Sequence, residues 1–194
     1  MKQLKDYIIE HQQINETGLR DTLFGEIVMK VLGTGLDWIG KGTGWLADSF
    51  KEALAGGFNA LKDAGDKTFT SFVNKHHIHK AEMPKNEKDL AGFFDKILHD
   101  EQKSYEDKYD IFKDWGKEFK DLDTSCVYIC KLQLENAGKK DITVEKLKEY
   151  AEDLNELYTQ YKGKLSKKTL NTIKETMKKL EERAKQIEKD NKEE

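Results

Sequence analysis

The chain has 194 residues, 37% of them charged and 37% hydrophobic, and its 34 Lys and Arg against 37 Asp and Glu leave a net charge of −3. That balance excludes an overall electrostatic grip on nucleic acid, and no sequence-specific nucleic-acid motif stands out. No run reaches the roughly 18 to 20 apolar residues that cross a bilayer, and the N-terminus lacks the apolar stretch and small-residue cleavage site of a secretory signal. The expectation is therefore a soluble chain made in a cytoplasm.

Met1 to Glu10 reads as a short amphipathic helix, with Met1, Leu4, Tyr7 and Ile8 on one stripe and Lys2, Lys5, Asp6 and Glu10 on the other faces. Its charges cancel, so docking would run through the stripe. His11 to Gly18 is polar and ends on a glycine, the composition of an exposed linker. On residue pattern alone, the same segment is equally the first helix of a bundle.

The order Met1, Lys2, then acidic Asp6 before aromatic Tyr7, then Ile8, Ile9 and Glu10 resembles the capsid-targeting sequence of the internal head proteins of large contractile-tailed bacteriophages. The resemblance covers ten residues. It implies a passenger that docks on capsid or prohead core proteins through this peptide and is cut by a prohead protease after the glutamate of a Leu/Ile-x-Glu site. The remainder would stay in the capsid interior of the virion and later be ejected into the host cytoplasm, where it would meet a host protein. Candidate processing positions are Glu10 and Glu16; bulky His11 follows the first and small Thr17 the second, which favours Glu16. The tripeptide rule also matches at Glu149, Glu156, Glu175 and Glu182, inside expected helices, where a protease cannot take extended backbone without local unfolding. Packaged proteins of this family are often basic and free of cysteine. This chain is slightly acidic with two, so it does not look like DNA-neutralising cargo.

Nine of the fourteen glycines fall between Phe24 and Asp66, where Gly33-Thr-Gly-Leu-Asp-Trp and Gly42-Thr-Gly-Trp-Leu-Ala-Asp recur nine residues apart. Trp45, Leu46, Phe50, Leu54, Phe58 and Leu61 form a helical stripe interrupted by Gly56 and Gly57, each of which weakens a helix by roughly 1 kcal/mol against alanine. Such a helix packs closely on a neighbour or lies on a membrane surface. Its polar face mixes Asp48, Glu52 and Asp63 with Lys51 and Lys62, no cationic excess for anionic lipid, so packing is favoured; the stripe is the candidate partner or membrane face. Gly35 to Gly42 nearly matches a phosphate-binding loop but has Gly42 where a magnesium-ligating Ser or Thr belongs, so no nucleotide is expected.

His76, His77 and His79, with His99 farther on, read as a surface loop rather than a metal site, because adjacent histidines point in different directions. Pro84, the sole proline, marks the expected internal boundary. From Asn86 as cap to Leu122, the set Leu90, Phe93, Phe94, Ile97, Leu98, Tyr105, Tyr109, Phe112, Trp115 and Phe119 predicts one long helix or two with a break. A helix from Ser125 to Asn136, ended by Gly138, should carry Cys126 and Cys130 inward as small core residues, four apart and badly placed for a disulfide.

Val144, Leu147, Ala151, Leu154, Tyr158 and Tyr161 share a face on a helix that closes at Gly163. After a turn around Lys162 to Ser166, Leu170, Ile173, Met177, Leu180, Ala184 and Ile187 repeat as a heptad seam. This is an αα-hairpin, with Ser166 as the N-cap of its second helix.

The whole reads as an all-α, multi-helix bundle in three parts: a targeting-like peptide over 1–16, a glycine-rich amphipathic segment over 17–83, and a charged helical body over 84–194 ending in the αα-hairpin. No serine-hydrolase elbow, zinc-protease motif, metal set or cofactor signature appears, so the expected action is protein binding without a cofactor. A membrane-interacting helical effector using residues 24–72, or a helical scaffold or oligomeric protein using the seam, are the alternatives.

Overall fold

The computed structural model describes residues 44–79 and 81–193. Those residues form six helices, α1 (Gly44–Lys75), α2 (Glu87–Leu98), α3 (Tyr105–Glu118), α4 (Leu122–Ala137), α5 (Val144–Tyr161) and α6 (Lys167–Glu193), and no strand occurs among them. The protein is an all-α bundle.

Local chemistry sets most of the helix starts. Asn86 accepts the Asp89 N–H at 2.9 Å to cap α2, Thr143 accepts the Lys146 N–H at 3.2 Å to cap α5, and Ser166 accepts the Thr169 N–H at 3.1 Å to cap α6. The stretch after Asn86 is two helices. The break comes from Ser104, whose hydroxyl accepts the Asp107 N–H at 3.0 Å while the Asp107 carboxylate takes the Ser104 N–H at 3.0 Å, a capping box that restarts the helix. Asp121 caps α4 by accepting the Thr124 N–H at 3.2 Å, so α4 begins three residues ahead of the expected Ser125 and ends against Gly138.

Helix α1 runs through Gly56 and Gly57 and breaks later, at Gly65, whose φ of 77° and ψ of 174° suit only glycine. Gly57 serves packing. A Cβ there would sit 2.5 Å from both Asp121 Oδ2 and Thr124 Oγ1, where α1 crosses the start of α4. The same crossing lets the Thr124 hydroxyl donate to the Ala53 carbonyl at 2.8 Å.

Helix α4 is the axis of the bundle, buried without interruption from Thr124 to Leu134. Helices α1, α3, α5 and α6 pack on it, and α2 reaches it through Phe94, whose ring centroid lies 4.6 Å from that of Tyr128. Around these rings Phe72, Phe112, Trp115 and Phe119 complete an aromatic core with edge-to-face and stacked pairs. The stretch holding Pro84 joins α1 to α2, and helices on both sides of it line one hydrophobic core, so the described parts of 17–83 and 84–194 pack as a single unit.

Candidate functional site

Met1, Lys2, Leu4, Asp6, Tyr7, Ile8, Glu10 and Glu16 lie outside the described residues, as does the loop over 35–42. The other sequence-derived sites fall within the bundle. Leu46, Phe50, Leu54 and Leu61 are buried in the core, with Trp45 and Phe58 half-buried against it. A bilayer or a partner would have to take these side chains out of the protein's own interior. On α6, Ile173 and Leu180 are fully buried, while Leu170, Met177 and Ile187 sit half-buried at the edge.

The line that α6 buries is Thr169, Thr172, Ile173, Thr176, Leu180 and Ala184, rotated from the heptad seam toward threonine. Those hydroxyls have a reason to face inward. Ser49 of α1 donates to the Lys168 carbonyl at 3.2 Å and shares a 2.5 Å hydrogen bond with Thr172, fastening α1 to α6. Cys126 and Cys130 are free and buried on α4. Burial pushes the Cys126 thiol far up and the Cys130 thiol up to about 12, which removes both as thiolate nucleophiles at neutral pH.

His76 packs its ring 4.7 Å from that of Phe72 and points Nε2 at Asp114 from 3.3 Å; burial, only partly opposed by Asp114, lowers its proton affinity. His77 closes the end of α1 in the left-handed region at φ 50°. No group of three or more His, Cys, Asp or Glu among the described residues is placed to hold a metal ion.

The most concentrated polar chemistry lies elsewhere, between α2 and α4. Lys131 is fully buried, with Nζ 3.0 Å from Asp95 Oδ1, 3.7 Å from Glu135 Oε1 and 5.7 Å from the centroid of the Phe50 ring. At the outer end His99, the C-cap of α2, sets Nε2 3.7 Å from Glu135 Oε2 and Nδ1 3.0 Å from the Asp95 carbonyl oxygen. Glu135 Oε1 and the buried Tyr128 hydroxyl have no hydrogen-bond partner among the described residues. Burial raises the proton affinity of Glu135, against the pull of Lys131 and His99, and it raises that of the Tyr128 hydroxyl, which Asp95 and Glu135 push further. The arrangement ties two helices by charge, and its outer end at His99 is half exposed to solvent.

Sequence reasoning passed over this group. The available signal was Lys131 and Gln133 standing inside the otherwise apolar run from Cys126 to Leu134, on a helix already expected to face inward. Comparison of the chain with protein-family models, with curated proteins and with solved structures found no match.

Proposed function

We propose that this chain is a bacteriophage virion protein packaged in the capsid head, a passenger that acts by binding. The stripe of Met1, Leu4, Tyr7 and Ile8 docks it on capsid or prohead core proteins, cleavage after Glu10 or Glu16 frees the body, and the body meets a host protein after delivery.

One observation carries this reading beyond the N-terminal resemblance. Of the six Leu/Ile-x-Glu tripeptides, four lie in α5 and α6, ending at Glu149, Glu156, Glu175 and Glu182. Their apolar residues, Leu147, Leu154, Ile173 and Leu180, are each at most 1% exposed. A protease reading that tripeptide in extended form would have to unwind the helix and pull the leucine or isoleucine out of the core, at a cost approaching that of global unfolding. The fold therefore protects every internal match, which is what a body that survives head maturation requires. Binding rather than catalysis fits thiols with raised proton affinity and a polar group enclosed between helices.

Mass spectrometry of purified virions tests the proposal. The expected product begins at His11 or Thr17 and keeps α5 and α6 intact. A virion form that still begins at Met1, or absence of the protein from particles, overturns it.

A further inference from the structure

We propose that His99 and Glu135 hold one proton between them, and that this proton latches the C-terminal end of α2 to α4, releasing it as pH rises. The argument starts from a hydrogen-bond constraint. A backbone carbonyl only accepts, so the 3.0 Å contact between His99 Nδ1 and the Asp95 oxygen requires the hydrogen to be on Nδ1. In the neutral ring Nε2 then carries a bare lone pair. That lone pair faces Glu135 Oε2 from 3.7 Å, and two electron-rich atoms repel. One added proton reverses the sign, giving either an imidazolium beside a carboxylate or a carboxylic acid beside a neutral ring.

The surroundings favour holding that proton. Facing Glu135 are Lys131 on its own helix, Asp95 and His99 from α2, and Lys108 from α3, with the Tyr128 hydroxyl nearby. Counting the charged forms, Lys131 and Lys108 already offset Asp95 and Glu135, so it is the burial of the Glu135 carboxyl, not an excess of negative charge, that favours the added proton. Burial already raises the proton affinity of Glu135 above that of an ordinary glutamate. A group whose folded proton affinity is raised stabilises the fold fully at low pH and loses that contribution as pH climbs through its folded titration. His99 caps α2, so the loss falls on the join between α2 and α4.

The test is nitrogen-15 NMR of the imidazoles in the whole protein across about pH 5 to 9, beside urea unfolding over the same range. The neutral His99 ring is expected in the Nδ1–H form, and the unfolding midpoint of the native chain is expected to fall toward alkaline pH, a fall that Glu135→Gln should shrink. His99→Asn, which keeps a side-chain donor near the position of Nδ1 but cannot titrate, should shrink that fall and serves where Glu135→Gln fails to fold. A neutral ring in the Nε2–H form, or an unfolding midpoint whose pH dependence is unchanged in Glu135→Gln or in His99→Asn, overturns the proposal.

Discussion

Helices α4 and α6 lie side by side, yet a polar residue means different things on each. On α4, buried all round from Thr124 to Leu134, a polar side chain is satisfied only by a partner inside: Thr124 donates to the Ala53 carbonyl, Lys131 reaches Asp95, and Gln133 donates to the Tyr105 hydroxyl at 3.2 Å, while the Tyr128 hydroxyl finds none among the described residues. On α6 one face is buried and the rest is solvated, so pairs such as Lys179 with Glu182 at 3.0 Å exchange protein contacts for water at little net gain. Specificity of packing sits in the first helix and tolerance in the second. Substitutions that damage α4 and its contacts heavily, and α6 lightly, are the way to test that division.

The largest effect is expected at the Lys131 cluster. Asp95→Ala leaves a fully buried ammonium with only Glu135, 3.7 Å away, and should destabilise by about 3–5 kcal/mol in urea unfolding. Lys131→Met removes the buried charge itself and leaves carboxylates that still touch solvent, at 20% and 16% exposure, so it should cost less than Asp95→Ala. The reverse ranking would mean that the cluster is not a desolvated ion pair.

A second contrast uses adjacent glycines of α1 that differ only in what they face. Gly57→Ala drives a methyl group into Asp121 and Thr124, which cannot retreat because they cap α4 and bind Ala53, and it should cost about 1–3 kcal/mol. Gly56→Ala meets nothing within 4 Å and should raise stability by about 0.5–1 kcal/mol through helix propensity. Thermal unfolding of the two variants decides it, and equal shifts would remove close packing as the reason for Gly57.

Much of this fold was legible because its signals are local. Asn86 and Ser166 declare helix starts from their own side chains, and Val144 to Tyr161 declares an amphipathic face by spacing alone. The restart at Ser104 was not resolved, since the apolar spacing continues from Leu98 to Tyr105 while a serine and an aspartate interrupt the backbone between them. The buried line of α6 was legible only in part, at Ile173, Leu180 and Ala184: a heptad is read from apolar residues, but Thr172 turns inward to meet Ser49, a partner 123 residues away. The same distance in sequence hid the ionic cluster, whose lysine and Asp95 stand 36 residues apart on different helices.

Loss of a cap should come next in size. Ser166→Ala removes the acceptor for the Thr169 N–H at the start of α6 and should cost about 1 kcal/mol. The turn itself stays in place, because the Ser166 backbone N–H is still held by Asp123 Oδ1 at 3.0 Å, so circular dichroism should show helix content unchanged while the urea midpoint falls.

The smallest expected effect is also the sharpest control on the comparison. Lys179→Ala breaks a pair on α6 whose members are 26% and 48% exposed, and should cost less than about 0.5 kcal/mol. Its hydrogen bond from Lys179 holds the Glu182 carboxyl below its ordinary proton affinity, so whatever the pair contributes is present near neutral pH and is lost as the solution is acidified. Salt separates the two kinds of pair. At about 1 M the screening length falls to about 3 Å, which should erase the Lys179 effect and leave most of the Asp95→Ala penalty, since the buried ammonium is reached by no counterion. If both effects shrink together in unfolding measured at high salt, then water and ions enter the join between α2 and α4, and the division between a specifying α4 and a tolerant α6 fails there.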